Sequence, residues 1–416
     1  MAAEQTLARA APRPAAFTGA MVGLLALSIF INYVDRGNLA TAAPLIKGEL
    51  KLTNTQVGLL ASAFFWVYAP AQIFAAWMVQ RFNAYRTLAM GLALWSLATL
   101  LTGFANGFAM LLALRILLGL GESAGYPAHA KLFGQHLPPA RLGVANSMIA
   151  AGQLLGPAAG TFLGGLLVAH AGWRMLFVVF GAASLLWLIP WLASTRAMSA
   201  QAATDGRVAE PSFAEILSKR KFWGASLGHF TGNYSLYLVL SWLPLYLVKV
   251  HGFSLTAMAE LGGMTYVLAA ATAVTSGWLA DRWIDRGASA SRVRIGMIVT
   301  ANLLTAGCML ACGLGDAGMA IGALMASQIA SGIGGFNIFA IGQSLAGPGG
   351  AGKWIGVQNA FGNVAGITAP LVTGIIIDMT GQFSLAFIVA AALSLVGAAS
   401  WRFLVRGVEP VVWREG

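Results

Sequence analysis

Four ionisable side chains, Asp35, Arg36, Arg115 and Glu122, lie inside stretches of the chain that are otherwise almost wholly apolar. An ion at the centre of a membrane helix costs about 2.5 to 3.5 kcal/mol on insertion scales, so each calls for a functional reason. In such a medium a guanidinium can hold an anion and a carboxyl group can carry a proton. Arg115 and Glu122 are two turns apart on one helical face, about 10.5 Å along the axis, so each needs a partner on another element. Asp35 and Arg36 are neighbours, about 100° apart around their helix, and cannot face the same neighbour. We assign Arg36 to a central cavity and Asp35 to the helix of Arg115, where Arg115 neutralises a carboxylate while Glu122 faces the route of a proton. The competing reading is a buried ion network that only fixes packing. A cavity that binds an anion must keep one base free while the acids are charged, and protonation of an acid supplies that switch.

Uncharged polar residues accompany this set. Tyr33 precedes Arg36 by one turn on the same face, and Tyr68, Gln153, Asn233, Tyr237, Asn359 and Asn363 add donors and acceptors in other apolar stretches. Residues of these types also join membrane helices to one another, so the group argues for a site more strongly than its members do. His229 reads as a packing histidine, and Cys308 and Cys312, one turn apart, as small packing residues.

The elements that must position these groups are membrane helices. The chain has 416 residues, 58% hydrophobic and only 9% charged, against about a quarter charged in a soluble domain. Apolar runs recur near the ~20 residues that a helix needs to cross hydrocarbon, and they lack the alternation of a membrane barrel. Their boundaries predict twelve spans: 17 to 37, 56 to 79, 87 to 105, 109 to 130, 142 to 167, 172 to 193, 222 to 248, 258 to 280, 293 to 314, 318 to 344, 354 to 377 and 382 to 403. The first contains Asp35 and Arg36 and reads as a membrane span, not a cleaved leader.

With the N-terminus inside, nineteen of the 25 Lys and Arg fall on inside segments, four outside and two within spans. This predicts both termini in the cytoplasm of a bacterial inner-membrane protein. The net charge of +11 is spread over short loops and suits anionic lipid headgroups, not a nucleic acid. The expected organisation is a cytoplasmic tail (1–16), a six-helix bundle (17–193), a cytoplasmic loop (194–221), a second six-helix bundle (222–403) and a short cytoplasmic tail (404–416). That last tail leaves no room for the output domain of a sensor. Five scattered histidines, without an H-E-x-x-H or G-x-S-x-G pattern, argue against a membrane enzyme. No cofactor or metal is expected.

The halves are internally similar. Ala76-Trp77-Met78-Val79-Gln80-Arg81 follows span two, and Gly277-Trp278-Leu279-Ala280-Asp281-Arg282 follows span eight, with Arg86 and Arg286 further on. Asn146 lies eleven residues before Pro157 in span five, as Asn359 does before Pro370 in span eleven. Parallel repeats of this kind occur in secondary transporters. Six-plus-six helices with a G-x-x-x-D-R loop resemble the major facilitator superfamily over essentially the whole chain; Gly277, Asp281, Arg282 and Arg286 match its loop, whereas Ala76 and Gln80 replace the Gly and Asp in the first half.

Three passages resemble the anion:cation symporters within that superfamily: Asn32 to Leu39, Arg115 to Glu122 with Pro127, and Trp242 to Leu247. The loop after span four, Phe133 to Arg141, departs from that family's W-x-x-x-E-R ending. The resemblance to sugar-acid:proton symporters implies that Arg36 holds a substrate carboxylate while Tyr33, Tyr68, Gln153 and an Asn of span eleven contact hydroxyls. It implies an all-α protein acting by alternating access, as a monomer, on a small organic anion and protons. Asp35, Glu122 and Arg115 would couple the proton, and Gly277, Asp281, Arg282 and Arg286 would form a cytoplasmic gate. Gly143, Gly152, Gly156, Pro157 and Gly160 of span five approach the glycine pattern of drug:proton antiporters, with Thr161 in place of the last Gly. Efflux is therefore the alternative to uptake, and close helix packing is the plainer reading of those glycines.

Overall fold

A computed structural model describes residues 15–81, 83–136, 139–195 and 211–413. Most of the first tail, most of the central loop and the last three residues expected from the sequence lie outside the described residues, as do the side chains of Ala76, Gln80, Arg81 and Asn146.

The chain is helical throughout: α1 (Ala15–Glu49), α2 (Asn54–Arg81), α3 (Ala84–Thr102), α4 (Phe108–Glu122), α5 (Gly125–His136), α6 (Pro139–Leu186), α7 (Leu188–Thr195), α8 (Phe213–Ser218), α9 (Arg220–Lys249), α10 (Leu255–Asp285), α11 (Ala290–Leu314), α12 (Ala317–Thr380) and α13 (Ser384–Ala399), closed by a π-helical turn at Ser400–Val405. Two of these helices each hold two spans. In α6 the backbone breaks at Gly172, with φ 81°, and in α12 at Gly347, with φ 68°. Glycine is the residue that adopts this conformation without strain. Among the described residues, nine helices are long and apolar enough to cross a membrane. One of them, Met148–Thr195, contains the break at Gly172 and crosses twice; α2 and α9 complete the twelve spans of two six-helix bundles.

Two departures from the expected spans bear on the site. Span one does not stop near residue 37, because α1 continues through Pro44 to Glu49. Proline is tolerated inside membrane helices, where neighbouring groups satisfy the freed carbonyl. Asp35 and Arg36 therefore sit well inside a 35-residue helix and not near its end. Span four is not continuous either: α4 ends at Glu122 and the chain resumes as α5 at Gly125.

We call the membrane face where α1 begins the near face and that where it ends the far face. The halves meet through α1 against α9, α2 against the second arm of α12, and the first arm of α6 against α10. Small residues allow backbone to approach backbone in these seams. A Cβ at Gly58 would run into the Pro370 carbonyl, one at Gly374 into Asn54, and one at Gly165 into Ala259. At the far end of the seam between α2 and α12 the Asp378 carboxylate accepts hydrogen bonds from the Asn54 amide (3.0 Å), the Asn54 side chain (2.8 Å) and the Thr55 amide (2.6 Å). Lys47 donates to Asn54 Oδ1 at 2.6 Å. Between described residues, the hydrogen bonds that join the halves all end on Asp378, so the molecule is closed at the far face.

The glycines of span five have a packing role. Gly152, Gly156 and Gly160 lie against Ala26, Phe30, Tyr33 and Val34 of α1. They bring α1 close and fix its rotation.

Overpacking a close seam costs about 1 to 3 kcal/mol. Gly58→Val is expected to favour molecules open at the far face, seen as longer distances between spin labels at the far ends of α2 and α12.

Candidate functional site

Arg36 is the hub of the site. It is 8% exposed, and its Nη2 and Nε donate to a single oxygen of Glu122, Oε2, at 2.8 and 3.2 Å. Nη2 also reaches Asn32 Oδ1 at 3.2 Å. The guanidinium carbon lies 4.6, 4.7 and 4.9 Å from the ring centres of Tyr33, Phe64 and Tyr68. Three aromatic faces thus take the place of water around the cation. Glu122 is 1% exposed, and its second oxygen, Oε1, has no hydrogen-bond partner among the described residues.

Asp35 turns the other way. Its oxygens accept from Asn38 at 3.1 Å and from Ser184, in the second arm of α6, at 3.0 Å. The expectation that Asp35 faces span four is corrected here: Arg36 occupies that side, and the roughly 100° between neighbours carries Asp35 toward span six. The assignment of Arg115 as neutraliser of a carboxylate is corrected too. Arg115 donates Nε to the Leu60 carbonyl at 3.2 Å and lies 5.5 Å from the Phe64 ring centre. Among the described residues no carboxylate comes within salt-bridge distance of it, because Arg36 has taken Glu122.

The neutral set divides. Gln153 donates to the Tyr33 hydroxyl at 2.9 Å and accepts from the Tyr126 hydroxyl at 3.3 Å, forming one cluster beside Arg36. Sequence reasoning missed Tyr126, although its place four residues after Glu122 was a usable signal. From the second half Tyr237 meets the Phe65 ring edge-to-face at 4.7 Å between centres and donates to Asn363 Oδ1 at 2.7 Å. Asn359 is half-buried, and its side chain makes no hydrogen bond with a described residue. The structure does not bring Asn233 to this group. It binds the Gly362 carbonyl at 3.1 Å and lines a separate cavity of about 80 Å³ inside the second bundle, with Asn302, Ser327 and Gln328. His229 is buried against Gly362 and the Phe339 ring, as a packing residue would be.

At the near face Asp281 pairs with Arg294 of α11 at 3.2 Å, and Arg282 lies 5.2 Å from the Trp278 ring centre. Arg286 ends α10, which also carries Gly277. The described contacts of this group stay within the second half, and the Asp281 carboxylate is 69% exposed. A pair that exposed holds little energy on its own.

Two helical bundles that enclose buried ions and amides where they meet make up a secondary transporter. The chain belongs to the Major Facilitator Superfamily, whose family model matches residues 25–368, and it is a transporter, not an enzyme. It is 31% identical over 408 residues to the "probable sulfoacetate transporter" of Cupriavidus necator, covering 92% of this chain and 93% of that one. It is 26% identical to the "probable galactarate/D-glucarate transporter" of Bacillus subtilis, over 95% and 93% of the two chains. With the D-galactonate transporter of Escherichia coli the identity is 28%, over 93% and 95%. Among solved structures, a bacterial homologue of the human lysosomal transporter Spinster, in an inward-facing and occupied conformation, superposes with a TM-score of 0.81 at 20% identity, over 94% of this chain and 97% of that one. At that identity the likeness speaks for the fold.

Removing one partner of a buried ion pair costs about 3 to 5 kcal/mol, whereas replacing both by apolar groups is often neutral. Glu122→Met should lower the thermal unfolding midpoint of the purified protein clearly, and the double substitution Arg36→Met with Glu122→Met should recover most of the loss. A double variant no more stable than the single one would argue that the pair carries little of the stability.

Proposed function

We propose that the protein imports a small organic anion, a sugar acid or a related short carboxylate, together with a proton, by alternating access. The observation that carries this reading is the Arg36–Glu122 pair, in which the arginine holds one carboxylate oxygen and the other has no hydrogen-bond partner among the described residues. A substrate carboxylate that takes Arg36 displaces Glu122, and Arg is suited to hold it with two parallel bonds. Glu122 then stands without a counter-charge in a buried site, where an isolated carboxylate is costly to keep ionised. A proton on the carboxyl removes that cost. Anion and proton therefore assist each other's binding, and the assistance is reciprocal. Asp35, held by Ser184 and Asn38 with no cation in salt-bridge distance among the described residues, is the second candidate for the proton.

The names of the relatives support an organic anion as cargo. The distribution of Lys and Arg supports a cytoplasmic near face, with both termini there and the bundles at 17–193 and 222–403 in a bacterial inner membrane. The state described above, closed at the far face, is then inward-facing. Tyr33, Tyr68, Gln153, Tyr237, Asn359 and Asn363 surround the anion's hydroxyl groups in this proposal, and the protein works as a monomer. The packing of the span-five glycines against α1 accounts for the pattern that suggested efflux.

In proteoliposomes, a pH gradient acid outside should drive uphill accumulation of the carried acid. Arg36→Lys should lose substrate binding while remaining folded, and near-normal binding by the purified Lys variant would remove Arg36 from the role. Asp35→Asn and Glu122→Gln should keep binding and lose proton-driven accumulation; accumulation with unchanged pH dependence in the double variant would rule out both acids.

We also propose that Gly277, Asp281, Arg282 and Arg286 latch the cytoplasmic face in the opposite, outward-open state. Asp281→Asn should shift inter-half distances toward the inward-facing state, and an unchanged distribution would reduce the loop to a determinant of topology.

A further inference from the structure

A second cation stands where the first needs none. Arg115 lies on α4 two turns before Glu122, about 10.5 Å nearer the far face along the helix. It is 7% exposed and, among the described residues, binds only a backbone carbonyl. Arg36 and Arg115 line one small cavity on the far-face side of Arg36, with Leu39, Val57, Phe65 and Tyr237. Their guanidinium carbons lie 4.7 and 5.5 Å from the centre of the same Phe64 ring, so their separation cannot exceed the sum of those distances, a span that a short chain can bridge. In the state closed at the far face this cavity is only about 20 Å³, room for about one water molecule and too little for an organic acid. A substrate can reach between the two arginines only once this cavity has widened.

Among the described residues the charge count around the cavity is two guanidiniums against one carboxylate, Glu122, since Asp35 faces Ser184 instead. A monoanion balances this set while Glu122 is ionised. If Glu122 gives up Arg36 and takes a proton, two positive charges remain, and two negative charges are needed to balance them. We infer that the site selects compact substrates with an anionic group at each end, one group held by Arg36 and the second by Arg115. The inference rests on the proposed anion transport and specifies the class of anion. Arg115 acts in it as a specificity-determining residue, and its position on the far-face side of Arg36 means that a substrate entering from that face would meet it before Arg36.

Binding of two matched pairs of acids to the purified full-length protein tests this: sulfoacetate with glycolate, and galactarate with galactonate. Within each pair one carboxylate is kept and the second anionic group gives way to a neutral one, a hydroxyl in glycolate and a hydroxymethyl in galactonate. In the wild type, the dianion of the accepted pair should bind at least about tenfold more tightly than its monoanion. Arg115→Gln should remove that advantage, weakening the dianion about tenfold while the monoanion changes less than about threefold; Arg115→Lys should retain part of it. Equal affinity within both pairs in the wild type, or equal weakening of both members by Arg115→Gln, would overturn the inference. Should the Gln variant not fold, the wild-type comparison decides alone. Binding of monoanions only would remove this inference and leave anion transport standing, whereas binding of none of the four acids would count against the transport reading itself.

Discussion

The ion pair between Arg36 and Glu122 is the interaction on which the rest of the molecule depends. A guanidinium with no partner could not be kept there cheaply, and an unpaired carboxylate would be as costly. The pair imposes requirements in turn. α1 must run deep enough to hold Arg36 well inside the membrane, which its 35 residues achieve. It must also be rotated so that Arg36 faces span four, and Gly152, Gly156 and Gly160 set that rotation by letting the backbones of spans one and five touch. α4 ends at Glu122, and the chain changes course before α5. The aromatic faces of Tyr33, Phe64 and Tyr68 complete the solvation that water would otherwise provide.

The presence of the four buried ions, the division into six and six helices and the polar set were legible in the sequence, because an ion in an apolar run is conspicuous at any register. Their pairing was not. Adjacent positions on a helix must diverge, so Asp35 and Arg36 could be separated from spacing alone, but the choice of which one faces span four depends on how α1 is turned against span five. The same limit applies to Asn233: its residue type marks a donor and acceptor without saying that the donor is spent on Gly362. Asp35 and Arg36 hid the length of α1, since apolar runs were bounded at charged residues and these two are buried inside the helix.

Asp378 makes a similar point at the far face. A carboxylate near a span end suggests a group that water solvates, and in isolation it would be one. Its partners are two backbone amides and a side-chain amide at the start of α2, more than three hundred residues away in sequence. An oxygen that accepts from helix-terminal amides needs no cation. Two of these three donors are backbone amides that every helix start possesses, so at the start of α2 only the identity of Asn54 carries a trace of the contact.

Among the described residues the charged groups of the site all belong to the first bundle, whereas the second presents the neutral side chains of Tyr237, Asn359 and Asn363. This asymmetry separates two evolutionary burdens. Substitutions in the second bundle can reshape the wall that meets the cargo without disturbing the electrostatic balance of the first, so new diets can be explored on one half while the energetics are inherited unchanged on the other.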